Sequence, residues 1–144
     1  MIKPSEILDS IVQGTGTPPP CIKTLRVPPI EGWEPGRVWA KWNPDPDFFH
    51  DLGAVFGGYL AALADSFVGL AMFSTLKEGE QFTTSDLRYS FFRPVSGGIV
   101  TIEAKVVHRG RRMAHVEAIF TNEDGKIAGK ATATQVVIPA REEA

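Results

Sequence analysis

Cysteine is almost missing from this chain: Cys21 is the one thiol in 144 residues, which excludes an internal disulfide framework and suits a reducing compartment. It follows three prolines and has no His or Asp beside it, so it is not read as a nucleophile. An excess of either charge is missing too. Lys and Arg number 15 against 17 Asp and Glu, so no bulk positive field draws nucleic acid or an anionic membrane, and a polyanionic ligand needs a local basic cluster. There is no Gly-x-Ser-x-Gly elbow, no Walker or Rossmann glycine pattern, and no Cys/His spacing of the zinc kind. His50, His108 and His115 keep no ligand-like rhythm, and no metal is expected. Met1 to Gln13 lacks the basic-then-apolar plan of a signal peptide, which makes a cytoplasmic protein the default.

What the chain does have is one long apolar stretch, His50 to Thr75. Between Ala54 and Phe73 its ionisable side chains are Tyr59 and Asp65 alone. Ala, Leu and Met favour helix, and the apolar residues fall on every side, the pattern of a helix buried all round. A membrane span is the rival for about twenty such residues. Four glycines, a carboxylate in the middle and the lack of Lys or Arg between Trp42 and Lys77 argue against it. The expectation is therefore a core helix that the rest of the chain wraps, with Asp65 as an acid in need of a reason.

The remaining pattern is mostly strand. Apolar residues at 7, 8, 11 and 12 predict an amphipathic helix over Pro4 to Val12. Gly14 to Pro20 reads as an extended connector, and Ile22 to Val27 as a short edge strand. Arg37 to Trp42 alternates and stops before Pro44. After the helix, period-two alternation runs over Phe82 to Phe92, Ile99 to His108, Met113 to Thr121 and Ile127 to Ile138. Pro94 with Gly97-Gly98, then Gly110, then Asp124-Gly125 separate them. Short connections imply antiparallel pairing, hence a four-stranded meander. The fold class is α+β: a curved antiparallel sheet around one central helix, with residues 1–35 as an N-terminal helix and Pro-rich extension and 36–144 as the sheet-and-helix domain.

Two features in the helix carry chemistry. Gly57-Gly58 at its start leave backbone N–H groups open to a carbonyl oxygen or anion, aided by the helix dipole; equally, they let the helix end pack closely against the sheet. Asp65 is a carboxylate placed for base chemistry. Eight residues separate Gly57 from Asp65, about 12 Å at ~1.5 Å per residue, so the two cannot hold one carbonyl within one copy. A catalytic reading requires Gly57 from one subunit and Asp65 from another, which means a homo-oligomer.

The order of motifs carries a resemblance. Gly53-x-x-x-Gly57-Gly58 with Asp65 seven residues on is followed by Thr84-Ser85-Asp86-Leu87 opening a strand, Phe91-Phe92-Arg93-Pro94, the turn Gly110-Arg111 and Asp124-Gly125. Over roughly residues 48 to 138 this resembles the hotdog-fold acyl-CoA thioesterases of the phenylacetate-degradation (PaaI-like) type. The resemblance implies thioester hydrolysis in a dimer or dimer of dimers, with no cofactor other than the coenzyme A carried by the acyl-CoA substrate. By position, Gly57 would polarise the thioester carbonyl, Asp65 of the partner would be general base or nucleophile, and Thr84 would help position water or the carboxylate. Where the family has Asn-x-x-Gly-x-x-His-Gly-Gly, this chain has His50 for the Asn and Phe56 for the His.

Phe56 makes no hydrogen bond of the kind an imidazole makes, and His50 is the side chain able to recover part of that role. Phe56 and Gly58 are expected against the substrate. Arg109, Arg111 and Arg112 form the densest basic run and are expected to meet the phosphates of coenzyme A. The same departures leave a non-catalytic acyl-CoA or fatty-acyl binding protein as the alternative. A hotdog hydratase would want a His with an acidic partner, which the sequence does not offer.

Overall fold

In the central helix a pair of neighbouring buried residues recurs every four positions. In the computed structural model, which describes residues 3–142, helix α3 runs over Gly57–Phe73 and buries Tyr59, Leu60, Leu63, Ala64, Phe67, Val68, Ala71 and Met72. These positions repeat every four residues, so they form one stripe along the helix. The opposite stripe holds Gly58, Ala61, Ala62 and Asp65, and there Asp65 and Gly58 are exposed. The expectation of a helix covered on every side is thus corrected. Ala and Gly count as apolar in a sequence pattern, yet they are small enough to sit at an uncovered face at little cost.

The sheet wraps the buried stripe. Its strands are β1 (Gly32–Glu34), β2 (Arg37–Trp42), β3 (Gln81–Phe91), β4 (Val100–Arg109), β5 (Met113–Thr121) and β6 (Ile127–Ile138), in the spatial order β1-β2-β4-β5-β6-β3, all antiparallel. Val38, Ala40, Val100, Ile102, Ala104, Ala114, Val116, Ala118, Phe120, Ala131 and Ala133 face the helix and join it in one core. This is the curved-sheet, central-helix architecture of the hotdog fold. The many alanines let a sheet close in on a helix without clashes.

The four-stranded meander is corrected in one respect. β4, β5 and β6 do form consecutive hairpins, but β3 pairs with β6 at the far edge and β2 takes the place beside β4. The connection over residues 92–99 makes this possible. Eight residues reach about 26 Å when extended, whereas three strand spacings amount to ~14 Å. Val95 is buried under the crossing and its carbonyl accepts from Val55 N–H at 2.8 Å, so the connection is pinned to the loop before α3.

The N-terminal segment is docked on this core. Helix α1 (Pro4–Gln13) buries Leu8 completely and ends at Gly14, whose φ of 69° is the left-handed conformation of a helix terminus. Ile22 to Val27 is not an edge strand: Pro20–Thr24 forms a short helix, α2, with Pro20 in its first turn where a missing N–H costs nothing. The sheet takes β1 from Gly32–Glu34, inside the segment read from sequence as the extension. Trp33 Nε1–H donates to Asp9 at 2.8 Å, and the Tyr59 hydroxyl donates to the Leu25 carbonyl at 2.9 Å. Among the described residues no helix is long and apolar enough to cross a membrane.

Candidate active site

The loop entering α3 is built from its own hydrogen bonds. His50 N–H donates to the Ala54 carbonyl at 2.9 Å, Gly53 N–H to the His50 carbonyl at 3.0 Å, and Phe56 N–H to the Phe48 carbonyl at 3.0 Å. Gly53 supplies the φ of 82° that the turn requires. His50 is exposed, and its Nδ1 accepts from Leu52 N–H at 3.0 Å. The imidazole therefore closes the turn and presents Nε2 to solvent.

At the helix start, Phe56 is the N-cap and offers no side-chain cap. Tyr59 and Leu60 donate back to the Phe56 carbonyl. Among the described residues the N–H groups of Gly57 and Gly58 have no acceptor, as the first donors of any helix lack one inside it. Both glycines are also crowded. A Cβ on Gly57 would lie 2.9 Å from the Phe91 ring, and one on Gly58 would lie 2.7 Å from the Phe56 ring. Close packing and free amides thus coexist at one place. Phe56, Phe91 and Phe92 are 47 %, 58 % and 57 % exposed; Phe91 lies outside the core, its ring laid over the helix start.

Asp65 lies further along the uncovered stripe. Gly58, Ala61, Ala62 and Asp65 on α3 face Thr84, Ser85, Asp86 and Leu87 on β3 across an open groove of about 480 Å³. Thr84 Oγ1 is 3.4 Å from Asp65 Oδ1 and 2.9 Å from Gln135 Oε1. A bulge makes this arrangement. The register of β3 against β6 shifts between Thr84 and Asp86, so one extra residue, Ser85, changes the phase. Phe82 and Thr84 point inward before it, and Leu87 and Tyr89 after it. Without the bulge, either Thr84 or Leu87 would face away from the helix.

The structure brings Asp65 and Thr84 together and places Gly58 on the same groove, with Gly57 and Phe56 at the helix end beside it. It does not bring the arginine run there as one unit. Arg109 faces inward at the end of β4. Its guanidinium pairs with Glu80 at 2.8 Å, reaches Thr75 Oγ1 at 3.3 Å and donates to the Gly110 carbonyl. Burial pushes the Glu80 carboxyl up, but the Lys77 N–H and Arg109 outweigh it and hold the group below its ordinary range. Arg109 is thus a structural ion, whereas Arg111 and Arg112 are exposed on the β4–β5 turn. Among the described residues no group of three or more His, Cys, Asp or Glu stands close enough to hold a metal ion.

Sequence reasoning missed Gln135, which is fully buried. Its signal was present: on β6 the inward positions are Gly129, Ala131, Ala133, Gln135 and Val137, and one amide interrupts them. That Ser85 and Asp86 both line the groove is not visible in the alternation, because the bulge between Thr84 and Asp86 leaves no trace in it.

Comparison with known proteins bears on this geometry. Residues 52–128 match the family model of the thioesterase superfamily, and that span begins at the loop before α3 and ends in β6. The proofreading thioesterase EntH of Klebsiella pneumoniae is 30 % identical over 93 residues, 65 % of this chain and 68 % of that protein. A phenylacetic acid degradation-related protein of Ralstonia eutropha superposes with a TM-score of 0.77 at 27 % identity, covering 90 % of this chain and 98 % of the other. A hypothetical thioesterase protein of Streptococcus pneumoniae, solved with coenzyme A, gives a TM-score of 0.71 at 27 % identity, covering 78 % and 87 %. Fold and sequence match agree, and the chain belongs to the thioesterase superfamily.

Proposed function

We propose that this protein hydrolyses acyl-CoA thioesters at a site shared by two copies of the chain. The observation that carries the reading is a separation. Acceptor-free amides at Gly57 and a carboxylate at Asp65 lie on one helix, about 12 Å apart at ~1.5 Å per residue. Each is half of a hydrolytic site. Among the described residues β3 is the outer strand beside the groove, with one side unpaired. Joining two such edges about a two-fold axis would set the helix start of one copy against the Asp65 of the other.

In that arrangement the Gly57 N–H stabilises the negative charge that develops on the carbonyl oxygen. Asp65 takes a proton from water as the oxygen attacks the thioester carbon, and returns it to the departing sulfur as the C–S bond breaks, so that the thiol leaves and the carboxylate is restored. Thr84 contacts Asp65 and fixes its orientation. Arg111 and Arg112 are free to meet the phosphates of coenzyme A, consistent with the coenzyme bound to the Streptococcus relative. No further cofactor is needed for this chemistry.

The alternative, binding without turnover, draws on Phe56, whose ring stands where the resembling family has an imidazole. A thiol-trapping assay over acyl-CoAs of varied chain length and aromaticity separates the two. Turnover is expected, with a loss of about 10²- to 10⁴-fold in Asp65→Asn. Mixing Asp65→Asn with Gly57→Pro, which lacks the N–H, restores about a quarter of wild-type turnover if sites are shared between copies. Full activity in folded Asp65→Asn, or no recovery on mixing two variants shown to be folded and to exchange subunits, refutes the shared site; saturable binding with no thiol release refutes the hydrolase.

A further inference from the structure

A hydroxyl has one hydrogen, and Thr84 has two acceptors to choose from. Gln135 Oε1 is 2.9 Å away and Asp65 Oδ1 is 3.4 Å away. If the hydrogen goes to Gln135, the lone pairs of Thr84 face those of the Asp65 carboxylate. The Nε2 group of Gln135, which is 0 % exposed, then has no acceptor among the described residues. An unpaired buried amide donor is among the costliest arrangements a fold can keep, while a carbonyl oxygen without a partner is better tolerated. A half-turn of the terminal amide exchanges the two atoms at nearly the same positions.

We infer that Gln135 is a positioning residue that donates from Nε2 to Thr84 Oγ1 and thereby commits the Thr84 hydrogen to Asp65. The chain of donors runs Gln135 to Thr84 to Asp65 and ends on the carboxylate. Its register is built in. Thr84 and Gln135 are direct partners across β3 and β6, and the bulge just after Thr84 turns its side chain toward the helix. On the other side Gln135 pairs with buried Ala114 of β5, which offers it no side-chain partner. This role rests on the hydrolase reading, since it gives Asp65 a fixed orientation for receiving a proton.

The test is a double-mutant cycle on acyl-CoA hydrolysis. Gln135→Met keeps the length and removes the amide; Gln135→Leu is the second variant should the first not fold. Gln135→Met is expected to lower kcat about 10- to 100-fold with KM within about twofold, and Thr84→Ala to do the same. The double variant is expected to be no slower than Thr84→Ala, because Gln135 acts through that hydroxyl. Unchanged kcat, or effects that multiply, overturns the proposal.

A second readout does not need turnover. The side-chain NH₂ of Gln135 is followed by ¹H–¹⁵N NMR in the folded protein. Donation from Nε2 to Thr84 Oγ1 predicts that Thr84→Ala shifts these resonances and speeds their hydrogen exchange, because the buried amide loses its acceptor. If the wild type hydrolyses no thioester, the function fails while this spectrum still decides the network. Gln135 side-chain resonances untouched by Thr84→Ala sink the network whatever the activity.

Discussion

Alkali should destabilise this protein through its two tyrosines, and removing the Tyr89 hydroxyl should prevent a large part of that effect. Tyr59 and Tyr89 are the whole tyrosine content. Burial pushes both phenols up; for Tyr59 the nearby Asp45 adds to the rise and Arg26 opposes it. The Tyr89 hydroxyl is buried against Gly129 without a partner among the described residues. A folded pKa above the unfolded value makes the native state hold its proton longer. Stability is complete below the unfolded pKa near 10 and falls as pH rises through the gap. At pH 11 the loss is about 1.4 kcal/mol for Tyr89, and Tyr59 adds a loss of the same sign.

Tyr89→Phe deletes a hydroxyl that makes no hydrogen bond, so its stability at pH 7 should stay within about 0.5 kcal/mol of wild type. At pH 11 it should exceed wild type by about 1.4 kcal/mol. Urea denaturation from pH 8 to 11.5, with tyrosinate absorbance followed in parallel, measures both. Parallel stability curves for the two proteins, or a Tyr89 that ionises near 10 while the chain stays folded, would refute the reasoning.

Acid should act through Glu80. Its folded pKa is depressed by the Lys77 N–H and Arg109, so the stability it contributes is present above the unfolded value near 4.3 and is lost as pH falls through the folded one. Glu80→Gln should cost about 1–3 kcal/mol at pH 7 and flatten the acid limb below pH ~4.5 in a denaturation series; an unaltered acid limb would contradict the pairing. Gly129→Ala should cost about 1–3 kcal/mol, because its Cβ would fall 2.6 Å from Tyr89 Cζ. Thermal melting of Gly129→Ala with and without Tyr89→Phe should show less loss in the pair than the sum, and strict additivity would count against the contact.

Most of the architecture was legible because alternation and helix periodicity are local. Arg37–Trp42, Met113–Thr121 and Ile127–Ile138 are strands with the bounds their patterns predict, and the motif order pointed to the family before any coordinate did. Ile22 to Val27 misled because short β-branched runs do not distinguish a strand from a turn of helix behind two prolines. The partner of β3 misled because a connection of eight residues can serve either a neighbouring strand or a distant edge. The site was half legible. Gly57, Asp65 and Thr84 carry a spacing, whereas Ser85 and Asp86 join the groove, and Gln135 meets Thr84 beneath it, only through a bulge that no periodicity records.

The chain by itself determined that one apolar helix would be wrapped by antiparallel strands, and that a carboxylate would sit on that helix too far from its glycine start to share a carbonyl with it. Those are consequences of composition, period and a fixed rise per residue. Only the tertiary structure decided which stripe of the helix stays uncovered, that β3 flanks it as an edge, that Arg109 is bound to Glu80, and that Thr84 lies between Asp65 and a buried amide. Each of these depends on contacts between residues far apart in sequence, where a single extra residue in one strand sets which side chains meet.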